Sequence, residues 1–134
     1  MNKIHVFFGV FGFGQDPQVV TDILQIEPSK AWAKGEPVPG SKRGIRTHSR
    51  WVLESPLERS ATVEEQLAAL LLLLEARAAE VAEVSRQFEA GLMCACYFYE
   101  TNPGFHLDAA LLQRVAALGL GFDFDLYCLG LGSD

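Results

Sequence analysis

Apolar residues fall along this chain in two rhythms, one of strands and one of helices. From Lys3 to Phe13 they crowd both parities. Phe7, Phe8, Val10, Phe11 and Phe13 leave neither face polar, which predicts an internal strand. Residues 46–54 alternate, with Ser49, Trp51 and Leu53 against Arg50, Val52 and Glu54. Residues 91–100 do the same, with Leu92, Cys94, Cys96 and Phe98 against Met93, Ala95, Tyr97 and Tyr99. A last strand is expected at 121–129, where Phe122, Phe124, Leu126 and Cys128 oppose Asp123, Asp125 and Tyr127.

The helical rhythm occupies the gaps. Asp16-Pro17 is a helix start, and Val20, Ile23 and Leu24 form an apolar stripe that Pro28 ends by about residue 26. Thr62 and Glu65 form a capping box ahead of Leu67, Leu70, Leu71 and Leu74. Leu72 and Leu73 make that helix apolar nearly all round. Ala78, Val81, Val84 and Phe88 continue the period, as one long helix or as two broken near Arg77. Asn102-Pro103-Gly104 predicts a turn. Asp108 caps a final helix that buries Leu111, Leu112, Val115 and Leu118 and ends at Gly119. Residues 28–45, with three prolines and three glycines, predict a long loop.

This order predicts an α+β domain. Its sheet is expected to be four-stranded and mainly antiparallel, with helices mostly on one face, as in ferredoxin-like folds. The two ends look alike. Each has an aromatic strand, an Asp cap, an apolar helix and an exit of the form Leu24-x-Ile26 or Leu118-x-Leu120. That likeness raises a β-α-β pseudo-repeat. At 134 residues, 49% of them hydrophobic, the chain fits one domain over 1–134 with a full core of its own.

Several short motifs follow one another in a set order. Asp16-Pro17, Leu24-x-Ile26-x-Pro28-Ser29 and Gly35-Glu36 come first, then Trp51-x-Leu53-x-Ser55, and Asp125-x-Tyr127 closes the chain. Asn102-Pro103-Gly104-Phe105-His106 lies between the last two. In this order and spacing the chain resembles the bacterial family catalogued as domain of unknown function 4279, over nearly its whole length. The resemblance implies an α+β domain and carries no activity, cofactor or catalytic residue.

Three cysteines, Cys94, Cys96 and Cys128, lack a disulfide framework and a zinc spacing. They predict reduced thiols, a cytoplasmic home and no metal. The apolar run Ile4–Gly14 follows Lys3 as a leader would. It has no small-residue cleavage site after it and is too short to span a bilayer, so a core strand is expected and no membrane.

A net charge of −6 disfavours a polyanionic partner, yet the charge is segregated. Lys30, Lys34, Lys42, Arg43, Arg46 and Arg50 share a stretch whose only acid is Glu36. Arg46, His48 and Arg50 fall on one strand face if that strand starts early, with Trp32 or Trp51 as a stacking surface for an anionic ligand. The competing account is a cationic loop resting against the acidic remainder of the molecule.

The other candidate is the sheet face away from the helices. Tyr97, Tyr99, Tyr127, Asp123 and Asp125 share it, joined by His5 if the register allows. Aromatics there could stack nucleic-acid bases, but the two aspartates repel phosphate, so nucleic acid is not expected. Two aspartates at i and i+2 stand about 7 Å apart, a spacing also open to acid–base chemistry in a closed pocket. The glycines at 9, 12 and 14 match no nucleotide-binding loop. No catalytic constellation or cofactor motif emerges. The leading expectation is a non-catalytic intracellular binding domain, a protein-interaction or immunity-type module with a protein partner or a second copy. The alternative is a small enzyme, or a binder of a small anionic ligand, using the basic loop 30–50.

Overall fold

The computed structural model describes residues 2–14, 16–99, 101 and 104–130. Five strands and four helices follow in order: β1 (Lys3–Phe11), α1 (Gln18–Leu24), β2 (Lys30–Trp32), β3 (Arg50–Glu54), α2 (Val63–Glu75), α3 (Ala78–Gln87), β4 (Glu89–Phe98), α4 (Ala109–Ala117) and β5 (Phe122–Cys128). Asn102 and Pro103 of the expected turn, and Glu100 at the end of the expected third strand, lie outside the described residues.

Local chemistry explains the boundaries. Asp16 Oδ1 accepts from Gln18 N at 2.9 Å at the start of α1, and Gln25 leaves the helix in the left-handed region. Thr62 and Glu65 form the reciprocal capping box of α2. Asp108 accepts from Leu111 N at 2.8 Å to cap α4. The leucine-rich segment is two helices, broken at Ala76 and Arg77, where Arg77 N turns back to Leu74 O.

The sheet order is β2-β3-β1-β4-β5. This corrects the expected strand count and the ferredoxin-like order. Among the described residues there are five strands rather than four, because Lys30–Trp32 inside the expected loop pairs with β3. Three residues after Pro28 are too few for any alternation to show. The sheet is also mixed: β1/β3, β1/β4 and β2/β3 are antiparallel, but β4/β5 is parallel. The element order β-α-β-β-α-α-β-α-β differs from the β-α-β-β-α-β order of the ferredoxin-like fold. Both ends are nevertheless β-α-β units with parallel strands. β4-α4-β5 joins neighbours, whereas β1-α1-β2 joins strands that are each antiparallel to the intervening β3.

The registers sort every strand residue onto one of two faces. Phe8 stands opposite both Leu53 and Leu92, and Val10 opposite Trp51. With Val6, Cys94, Cys96 and Phe98 they form the floor of one core, roofed by Val20 and Leu24, by Leu67, Leu70, Leu71 and Leu74, by Val81 and Val84, and by Leu111 and Val115. All four helices therefore cover one face. Cys94 and Cys96 belong to that core, and burial pushes the Cys94 thiol up to about 12, which leaves it protonated and inert.

A buried glutamine completes the central strand. β3 ends at Glu54, so β1 has no strand neighbour on that side below Phe7, where only Ser55 N, to Val6 O at 2.8 Å, and Arg59 O, from Ile4 N at 3.0 Å, reach it from the following loop. Gln66 fills the gap from α2: Oε1 accepts from Val6 N at 3.1 Å, and Nε2 donates to Ile4 O at 2.8 Å and to Ala61 O at 3.0 Å.

Candidate functional site

The uncovered face carries Lys30 and Trp32 of β2, Arg50, Val52 and Glu54 of β3, His5, Phe7 and Phe11 of β1, Met93 and Tyr97 of β4, and Asp123, Asp125 and Tyr127 of β5. Of the expected residues, Tyr97, Tyr127, Asp123, Asp125 and His5 share it. Tyr97 and Tyr127 stack with ring centroids 4.9 Å apart, and His5 meets the edge of Tyr97. Tyr99 falls past the end of β4, where its backbone N–H donates to Asn2. Desolvation, followed in weight by Arg59, lowers the His5 pKa.

The cations gather at the β2–β3 end of this face. Residues 33–49 double back as a narrow hairpin. Gly35 N donates to Arg46 O, Arg46 N to Glu36 O and Val38 N to Gly44 O, at 2.8, 2.8 and 2.9 Å. Gly40, at φ +80°, permits the reversal. Ser49, buried at the base, donates to the Gly14 carbonyl and accepts from Lys34 N at 2.9 Å. The loop is thus fastened to the end of β1 as well as to itself. Strand β3 begins only at Arg50, so Arg46 and His48 are loop residues rather than strand neighbours of Arg50. The hairpin still brings all three to one cleft.

That cleft has a volume of about 380 Å³ and is lined by Phe11, Trp32, Val38, Ile45, Arg46, Thr47, His48 and Arg50. The Arg46 guanidinium lies 4.0 Å above the Trp32 ring. The Arg50 guanidinium lies 4.9 Å from Phe11 and 5.7 Å from Phe7, and its Nη2 donates to Met93 Sδ at 3.3 Å. Both guanidinium groups lie over aromatic rings, an attraction that does not use up their N–H donors. The Nε of Arg46 and the Nε of Arg50 are both buried, and neither has a hydrogen-bond partner among the described residues. Desolvation lowers the Arg50 pKa, and Asp125 partly offsets it. His48 Nδ1 lies 3.0 Å from Thr47 Oγ1.

The family model described as a domain of unknown function, DUF4279, matches residues 2–129. The chain belongs to the DUF4279 family. No curated protein and no solved structure matches this DUF4279 chain.

Of the residues singled out in the sequence, Arg46, His48 and Arg50 line one cleft. Asp123, Asp125, Tyr97 and Tyr127 lie on the same open face two and three strands away from β3. Trp32 is the stacking surface for Arg46. Trp51 is not, since it is fully buried on the helix side and Phe8 packs edge-on against it. Phe7, Phe11 and Met93 escaped the sequence reading as site residues, because an all-apolar strand resembles pure core until its neighbours are placed. Among the described residues, no group of three or more His, Cys, Asp or Glu side chains could hold a metal ion, and no helix is long and apolar enough to cross a membrane.

Proposed function

We propose that this chain is a non-catalytic binding domain whose cationic cleft takes a small anionic ligand. The observation that carries this reading is the pair of buried Arg46 and Arg50 Nε groups in one cleft without a hydrogen-bond partner. Leaving a buried donor unpaired costs about 1–3 kcal/mol, and more for a charged group. An oxyanion in the cleft would be attracted by both guanidinium charges. The aromatic seats keep the guanidinium groups in place before a ligand arrives, which reduces the ordering cost of binding. The unpaired cysteines agree with a cytoplasmic setting.

Calorimetric titration with phosphate, sulfate and succinate tests the reading. At least one should bind, more weakly as salt rises. Arg46→Met and Arg50→Met, which keep the aliphatic stem, should each weaken it by about 10–100-fold, the worth of one charge-assisted hydrogen-bonding group. Failure of all three anions to bind, or full affinity in both variants, would refute it.

A protein-interaction or immunity-type role has its own support at the opposite edge of the sheet. Strand β5 exposes Phe124, Leu126 and Tyr127, and Leu129 follows them, with Leu126 at 56%. Apolar side chains along a free strand edge favour pairing with another chain, a second copy included. Light scattering should then show dimers whose population is little altered by salt, and Leu126→Lys should abolish them. A monomer at every concentration would remove the homodimer.

A further inference from the structure

The cleft does not end at His48. A second cleft, of about 700 Å³, shares Phe11, Thr47 and His48 with the first and continues past Gly12, Gly14, Lys34, Ser49 and Glu89. The two have different chemistry. The first is cationic and aromatic, and the second is polar with charges of both signs. Lys34 and Glu89 join no ion pair among the described residues, so the ammonium and the carboxylate are both open to a ligand. A Cβ built on Gly14 would meet nothing within 4 Å, and one on Gly12 only Glu89 N at 4.0 Å. Both glycines have positive φ, near +78° and +72°, so the wall they form stays free of side chains.

We propose that the ligand is a phosphomonoester of a small polyhydroxylated molecule, of the sugar-phosphate class. Its phosphate lies between Arg46 and Arg50, and its hydroxylated part lies between Lys34 and Glu89. This inference rests on the anion-binding reading and deepens it.

The phosphate follows from the number and mounting of the forks. The two guanidinium groups are seated on different strands, Arg46 on Trp32 of β2 and Arg50 on Phe11 and Phe7 of β1. A carboxylate has two coplanar oxygens and is filled by one fork. A phosphomonoester has three free oxygens in a tetrahedral array and a charge of about −1.5 to −2 at neutral pH, enough to serve two. The hydroxylated part follows from the second cleft. An ammonium only donates and a carboxylate only accepts, and a hydroxyl group does both. A purely apolar ester would make no use of either Lys34 or Glu89. The shared wall of Phe11, Thr47 and His48 marks where the ester oxygen would pass from one cleft to the other.

Calorimetry on the intact chain with ribose 5-phosphate, inorganic phosphate, ribose and succinate separates the parts of this proposal. Ribose 5-phosphate should bind about tenfold or more tighter than inorganic phosphate, and ribose alone should not bind. Glu89→Gln and Lys34→Met, both at the surface, should bring ribose 5-phosphate down towards the affinity of inorganic phosphate and leave inorganic phosphate unchanged. Arg46→Met and Arg50→Met, with thermal midpoints checked, should weaken both phosphates. Tighter binding of succinate than of either phosphate would overturn the phosphomonoester and leave an anion site standing. Equal binding of the two phosphates, untouched by Glu89→Gln and Lys34→Met, would overturn the bipartite site. Binding of none of the anions would end the anion-binding reading as well.

Discussion

Replacing Gln66 with leucine should lower the free energy of unfolding by about 3 kcal/mol, although leucine matches the volume and suits a helix. The side chain is almost wholly buried. It supplies one acceptor to Val6 N and two donors, to the carbonyls of Ile4 and Ala61. Leucine would leave a central-strand N–H unpaired and strand two carbonyl groups. Each such group costs about 1–3 kcal/mol, reduced where water can reach it. Urea unfolding should show a lower midpoint with an unchanged slope. A loss below about 1 kcal/mol would mean that β1 finds other partners and that Gln66 does not complete the sheet.

Trp51→Ala should cost still more, about 3–5 kcal/mol. The indole is fully buried between β3 and α1, edge-on to Phe8 at 6.2 Å, and its Nε1 donates to Thr21 Oγ1 at 3.0 Å. Truncation would open a cavity in the core and leave the buried Thr21 hydroxyl group without this partner. Trp51→Phe keeps most of the apolar volume and loses the hydrogen bond, so it should fall between alanine and the natural residue. An unchanged midpoint for Trp51→Ala would show that the core does not depend on this ring.

The cationic cleft was half legible in the sequence. The cations stand out because Glu36 is the only acid among them, and Trp32 was named beside them. Their gathering came about by another route than the one expected. Arg46, His48 and Arg50 were to share a strand face, but β3 starts at Arg50, and a fastened hairpin brings the other two back. Nothing in the local pattern announces Pro37 facing Ile45 or Ser49 reaching Gly14. Gln66 carried a faint signal: a polar residue beside Leu67, three positions after Val63 and four before Leu70, stands on the core side of its helix.

What the sequence determined alone is whatever depends on neighbours a few residues away. The two-sided apolar strand β1 lies at the sheet's centre, the Thr62–Glu65 box and the Asp108 cap open their helices, and the alternation in β3 and β4 sorts Trp51 and Cys94 inward and Arg50 and Tyr97 outward. Strand direction, partner choice and the cleft needed the tertiary structure. A period of two reads the same whether the next strand runs parallel or antiparallel, so β4 and β5 looked like any other pair. A three-residue edge strand such as β2 is too short to have a period and exists because β3 offers it hydrogen bonds. The alternation in β5 predicted one buried row, yet Phe124 and Leu126 are exposed, because alternation says which residues share a side and only packing decides whether anything covers it.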